Sequence, residues 1–321
     1  MAPEHKIPRR LVFMGYSNIG YICLEVLIDL CRQFHDEIVA VVTHEDDPRE
    51  RLWFKSVHEL AAAHHLPVYT PADPNDPAFV ELLRGLRPDF LFSCYYRLML
   101  KQPLLALPTK GALNLHGSLL PRYRGRCPLN WVLIHGEPLT GLSLHYMEIT
   151  PDSGDLVAQV QVPIDPDDTA WTLSDKMTLA AGQLMRRIYP LLRADAAPRI
   201  RQDHSRATYF GGRTPEDGRI DWQQSAPQIY NLIRAVTHPF PGAFTIGAGE
   251  KIFLWSAKVD TSYAGAKLSP GQVRRRGGQV WIGTGDGVLQ ILAAQIDGDF
   301  EVSGEALAAA LGFLDGVTLE T

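Results

Sequence analysis

Residues 11–43 read LVFMGYSNIGYICLEVLIDLCRQFHDEIVAVVT, and this stretch decides the fold. Leu11 to Met14 is a short apolar run, glycines at 15 and 20 open a loop, and from Ile19 to about Phe34 apolar residues recur at helical spacing. Ile38 to Thr43 is β-branched and continuous, which suits a strand covered on both faces of a parallel sheet. Together these make a strand, a helix and a second, parallel strand. The loop GYSNIG has neither G-x-G-x-x-G nor the Gly-Lys-Ser/Thr of a phosphate-binding loop. Its glycines therefore read as turn residues of a Rossmann-like first unit, not as a dinucleotide or ATP site.

Outward from this unit the pattern repeats. HEDDPRERLWF over 44–54 is a charged loop, Ser56 to His65 a helix, Pro67 to Thr70 a strand, Pro77 to Leu86 a helix, and Asp89 to Cys94 another apolar strand. Strand and helix in alternation predict an α/β fold with a doubly wound sheet. His64 and His65 lie at a helix end, where they complement the helix dipole better than they bind a metal. Tyr95 and Tyr96 leave the fourth strand ahead of an apolar run, a pattern open to plain packing or to a ligand.

The chemistry concentrates in residues 111–155, GALNLHGSLLPRYRGRCPLNWVLIHGEPLTGLSLHYMEITPDSGD. Ala112 to Leu115 reads as a buried strand, and Asn114 and His116, two apart, share one face of it. SLLPRYRG is a loop broken by Pro121 and Gly125, Pro128 starts a helix through about Ile134, and LSLHYMEI alternates as a second strand. Asp152 then sits on a loop tip. If the two strands are neighbours with their carboxyl ends together, where open α/β sheets place ligands, Asn114, His116 and Asp152 converge. An imidazole moves protons, a carboxylate orients it and favours its charged form, and an amide N–H stabilises an oxyanion. On this reading Asp152 keeps His116 protonated to higher pH. Ser118 and Cys127 lie nearby without the glycine-flanked elbow of a nucleophile, and His145 reads as a satisfied core histidine. Arg122, Arg124 and Arg126 on one loop suit a ligand bearing carboxylate or phosphate.

Composition narrows the classes. With 321 residues, 45% of them hydrophobic and 21% charged, the chain can build a sizeable core. No run reaches the roughly 18 apolar residues of a membrane span, and the amino-terminal stretch is too short for a secretory segment, so a cytoplasmic protein is expected. Cys23, Cys31, Cys94 and Cys127 form no C-x-x-C pair and no metal-ligand spacing, which predicts buried free thiols and no metal. The net charge is −5, and from Arg206 onward 10 Lys plus Arg face 12 Asp plus Glu, so no basic arm for nucleic acid is present.

Leu156 to Ile164 alternates as a strand, and Thr169 to about Leu192 is a long helix with Leu173, Met177, Leu184 and Ile188 on one stripe, its start capped by Asp167 and Asp168. Residues 194–206 are polar and contain proline, which places a linker there and two domains at 1–205 and 206–321. The second domain has a helix at Pro227 to Val236 and then short strands between Gly-rich turns, the pattern of a small β-barrel.

The stretches NLHGSLLPRYRGRCPLNW, TPDSGD, SCYYRLML and FGGRTPEDG resemble the folate-dependent formyltransferases over nearly the whole chain. The resemblance implies a Rossmann-like formyltransferase domain followed by a smaller OB-like β-barrel. It implies 10-formyltetrahydrofolate as co-substrate, with Asn114, His116 and Asp152 catalytic. Leu98, Met99 and Leu100 would hold the pterin, largely through main-chain groups, with Arg126, Glu148, Ile149, Thr150, Pro151 and Asp152 completing the cofactor site. Tyr209, Phe210, Arg213 and Asp217 would reach a sugar nucleotide. Within the family the match favours the branch that formylates UDP-4-amino-4-deoxy-L-arabinose, a step of lipid A modification in polymyxin resistance; the second, dehydrogenase part of the enzyme of that branch is not expected in 321 residues. A homo-oligomer fits this reading. Its rivals are a methionyl-tRNA formyltransferase, a non-catalytic sugar-nucleotide or folate sensor, and a hydrolase releasing formate from the cofactor.

Overall fold

β1 (Arg10–Gly15) and β2 (Glu37–Val42) pair in parallel on either side of α1 (Ser17–Phe34) in the chain, as the opening stretch requires. The structure is a computed structural model that describes residues 7–45 and 53–320, so most of the expected charged loop lies outside the described residues. The chain continues through α2 (Val57–Ala63), β3 (Val68–Tyr69), α3 (Pro77–Gly85), β4 (Phe90–Cys94), α4 (Gln102–Leu105) and β5 (Gly111–His116). β6 (Arg124–Gly125), α5 (Pro128–Ile134), β7 (Leu139–Tyr146), β8 (Leu156–Pro163), α6 (Ala170–Arg193) and β9 (Tyr209–Phe210) follow. Contacts divide the chain into two compact units, one of residues 1–125, 139–163 and 175–210, the other of residues 126–138, 164–174 and 211–321.

The first unit holds a seven-stranded sheet in the order β3-β2-β1-β4-β5-β7-β8. Its first five strands pair in parallel, and β7 alone runs the other way, antiparallel to both β5 and β8. One face packs Val12, Met14, Ala40, Val42 and Leu91 against Val80 and Leu83 of α3 and against Leu100 and Leu104. Asp76 starts α3 by accepting from the backbone N–H groups of Ala78 and Phe79, with Pro77 in the first turn, so the helix begins where its unpaired donors are satisfied. The loop glycines serve packing: a Cβ at Gly20 would stand 3.1 Å from the Cys94 carbonyl oxygen, and one at Gly15 would stand 2.4 Å from the Phe13 ring. Asp36, whose side chain is fully buried, accepts from the Tyr189 hydroxyl at 2.7 Å and the Arg193 Nε at 2.8 Å, tying the end of α6 to the start of β2.

The sheet departs from the expected geometry at β7. It runs antiparallel to β5, with Asn114 opposite His145 and His116 opposite Ser143, so the carboxyl ends of the two strands do not lie together. The 22 residues that join the two strands, 117–138, are long enough for either sense, and an alternating strand carries no signal of its neighbour's direction.

The second unit is built on α7 (Ala226–Val236) and a six-stranded antiparallel sheet of β10 (Ala243–Gly247), β11 (Glu250–Val259), β12 (Val273–Arg276), β13 (Gln279–Gly283), β14 (Val288–Ile296) and β15 (Val302–Ser303), with α8 (Gly304–Ala310) after it. Ser225 and Gln228 form a capping box at the start of α7. Asn130 of α5 donates to the Ala235 carbonyl of α7 at 2.8 Å, so residues 128–134 belong with this unit. The α/β architecture with a smaller, antiparallel second domain is the one the sequence predicts.

Candidate active site

β5 brings Asn114 and His116 to one face, and the antiparallel register adds a third side chain, His145 of β7. His145 Nδ1 lies 2.8 Å from the Tyr146 carbonyl oxygen, which can only accept, so that nitrogen carries the proton. The neutral ring therefore offers a lone pair at Nε2, 3.2 Å from Asn114 Nδ2. This fixes the carboxamide: one N–H is spent on His145, and the second remains for a ligand. His116 is held by the same logic with its nitrogens exchanged. Its Nε2 donates to the Tyr123 carbonyl at 2.7 Å, leaving the lone pair on Nδ1.

Asp152 reaches this pair from the loop between β7 and β8, which doubles back over the strand end. Asp152 itself adopts a left-handed backbone, φ 56°, and Gly154 packs so closely that a Cβ there would stand 2.0 Å from the Tyr146 carbonyl oxygen. One carboxylate oxygen lies 3.5 Å from His116 Nδ1 and 3.5 Å from His145 Nε2, and the other accepts from the Gly125 N–H at 2.8 Å. Gln202 donates to the main-chain carbonyls of Asp152 and Gly154 at 2.9 and 2.6 Å. Convergence is thus achieved by a folded-back loop and not by neighbouring strand ends.

Burial pulls the Asp152 pKa up, but the protonated forms of His145 and His116, which can donate to and attract the carboxylate, and the Gly125 N–H outweigh it and hold the carboxyl at about 2. Burial also dominates at His116 and lowers its pKa; Asp152 and the Tyr123 carbonyl pull it up, and His145 and Arg124 push it further down. Asp152 does raise the His116 pKa, as expected, but the net expectation of a ring protonated to higher pH is corrected because burial outweighs that pull. Desolvation of a ring 7% exposed exceeds the carboxylate's attraction, and the neutral imidazole is favoured.

His145, Gly125, Gln202 and Arg124 were not assigned to this centre from the sequence. A signal for His145 exists: in LSLHY the polar Ser143 and His145 alternate with leucines on one face of a buried strand. Ser118, in contrast, spends its hydroxyl on the carbonyls of Arg122 and Tyr123, bracing the loop.

The other expected positions distribute as follows. Leu98 and Met99 are exposed at 39% and 61% while Leu100 is buried, and Asn75 fixes this loop through the Met99 carbonyl and the Lys101 N–H. Glu148, Ile149, Thr150 and Pro151 are exposed on the loop that carries Asp152. Tyr209 and Phe210 form β9 against β6, with the Phe210 ring stacked on Tyr123. In the second unit Arg213 lies over the Trp131 ring and donates to the Asp217 carbonyl, and the Arg126 guanidinium lies against Gly212. The Asp217 carboxylate is taken up in capping Thr214. Among the described residues no cluster of three or more His, Cys, Asp or Glu could hold a metal ion, and no helix is long and apolar enough to cross a membrane.

Comparison with known proteins puts these residues in context. Residues 10–188 match the formyl transferase family, and residues 213–312 match the formyl transferase C-terminal domain. The fold is similar to that of an N-formyltransferase from Helicobacter canadensis in complex with folinic acid and dTDP-3-aminofucose (TM-score 0.71, 21% identity, 90% of this chain and 99% of that one). It is also similar to a sugar N-formyltransferase from Shewanella sp. FDAARGOS_354 (TM-score 0.62, 15% identity, 76% and 96%). A methionyl-tRNA formyltransferase from Clostridium thermocellum matches as well (TM-score 0.55, 15% identity, 79% and 95%).

Proposed function

The chain belongs to the formyl transferase family and is a formyltransferase, and from that premise we propose that it moves a formyl group from 10-formyltetrahydrofolate to the primary amine of a nucleotide-linked amino sugar, UDP-4-amino-4-deoxy-L-arabinose. The observation that carries this reading is the centre in which His116 and His145 flank the ionised carboxylate of Asp152 while Asn114 is anchored on His145. The Helicobacter protein's ligands, a folate and a dTDP-amino sugar, support the substrate class. The choice of UDP and of the arabinose rests on the resemblance of SCYYRLML and FGGRTPEDG.

The neutral amine attacks the formyl carbon, and the carbonyl electron pair moves onto oxygen. The second N–H of Asn114 donates to that oxyanion, the interaction that strengthens most as charge develops. His116 enters neutral and takes the ammonium proton at Nδ1, beside the carboxylate that stabilises the resulting imidazolium. The proton passes on to N10 as the carbon–N10 bond breaks, leaving a formamide and tetrahydrofolate. The exposed apolar pair Leu98 and Met99 and the loop 148–152 are proposed to hold the pterin, with Arg126 near it. Tyr209, Phe210 and Arg213 are proposed to meet the sugar nucleotide, with Asp217 acting through its carbonyl on Arg213.

The test is mass spectrometry of products from a panel of UDP- and dTDP-amino sugars incubated with 10-formyltetrahydrofolate, with initiator methionyl-tRNA as a further acceptor. A formylated UDP-amino sugar is expected. Formylation of the tRNA alone, formate release without an acceptor, or ligand binding with no product would each replace the proposal.

A further inference from the structure

Arg124 is 1% exposed, and among the described residues no carboxylate pairs with its guanidinium. A hydroxyl, an amide oxygen and a ring nitrogen meet its charge instead. Nη1 donates to the Tyr209 hydroxyl at 2.5 Å, Nη2 donates to Gln202 Oε1 at 2.6 Å and to His204 Nδ1 at 3.1 Å, and Nε is buried without a partner. Burying a cation without an acid is costly, so this arrangement is a poor device for stability alone.

Its effect is to orient an amide. A guanidinium can only donate, so Gln202 must turn Oε1 toward Arg124 and Nε2 away from it. That Nε2 donates to the carbonyls on both sides of Ser153, those of Asp152 and Gly154, in the segment that holds Asp152 in its left-handed conformation. The neighbouring residue completes the grip, since the Gly125 N–H binds the Asp152 carboxylate itself. The two-residue strand β6 thus holds the main chain of the acid through one residue's side chain and its carboxylate through the other's backbone.

We propose that Arg124 and Gln202 are a positioning pair for formyl transfer: Arg124 orients the Gln202 amide, and Gln202 clamps the Asp152 loop so that the carboxylate stays between His116 and His145. The assignment of the pair to catalysis rests on the function proposed above. Neither side chain touches a reacting atom.

Gln202→Met keeps the side-chain length and removes both donors. The expected result is a folded protein whose kcat falls about 10- to 100-fold with KM for the formyl donor within about twofold, the signature of an interaction needed mainly in the transition state. By NMR, the His116 imidazole titrates at lower pH than in the unmodified protein, because the carboxylate that favours its charged form is no longer held beside it. Gln202→Glu preserves the link to Arg124 yet has no donor for the two carbonyls, so it gives the same loss of kcat even where methionine disturbs packing. Wild-type kcat together with wild-type His116 titration in either folded variant overturns the proposal. The titration requires no substrate. If the unmodified protein transfers no formyl group, the functional reading falls, and the NMR result alone still decides whether the clamp exists.

Discussion

Substitution at single positions separates the roles within the centre. Asn114→Ala, His116→Ala and Asp152→Asn are each expected to lower kcat by at least roughly 10²-fold with the thermal midpoint largely retained; near-normal turnover in a folded variant removes that residue from the mechanism. The pH dependence follows from the two shifts. Asp152, held at about 2, is ionised across the working range and contributes no limb. His116, lowered by burial, stays neutral at and somewhat below the usual histidine range, so kcat is flat near neutrality and falls only on further acidification. In Asp152→Asn the carboxylate's upward pull is gone, and the acid limb of any residual activity moves to lower pH. A limb that moved upward would contradict the assignment. That Asn114 and His116 share one face was legible because their two-residue spacing is local, whereas the approach of Asp152 was expected from strand ends that the register keeps apart. His145 was not legible, since its partnership with Asn114 depends on a strand register that no single segment encodes.

At the level of elements, the short β6–β9 pair is where small changes reach furthest. Gly125 has φ 98°, and a Cβ there would stand 2.2 Å from the Phe210 carbonyl oxygen. Gly125→Ala is expected to open the pair, costing about 1–3 kcal/mol, and to remove the N–H that holds the Asp152 carboxylate. Urea unfolding and kcat should fall together; an unchanged midpoint would show the strand to be dispensable. Asp36→Ala tests a different joint. It leaves Arg193 buried beside the start of β2 without its acid and should cost about 3–5 kcal/mol while sparing kcat in the folded fraction. The parallel strands were readable because β-branched runs such as Ile38 to Thr43 advertise burial on both faces. The direction of β7 was not advertised: an alternating strand looks the same whichever way its neighbour runs. β6 and β9, two residues each, are below the length at which alternation carries any signal.

For the molecule as a whole, ligand binding and fold are linked. Folinic acid at about 100 times its Kd should stabilise the protein by about 2.7 kcal/mol, visible as a rise in thermal midpoint, and no rise at saturating concentration would argue against a folate site. The division into a larger α/β part and a smaller antiparallel part was legible from the change of period after residue 206, but the path of the chain between them was not. Residues 126–138 and 164–174 lie on the amino-terminal side of the expected linker and belong to the second unit. Periodicity reports what each segment is, not which neighbours it keeps. The practical consequence lies in gene dissection. A fragment of residues 206–321 would be made without α5 and would lack the Asn130 amide that caps the Ala235 carbonyl. It should emerge from expression insoluble or unfolded, and a chimera that swaps acceptor specificity with a relative must carry both earlier inserts along with the tail.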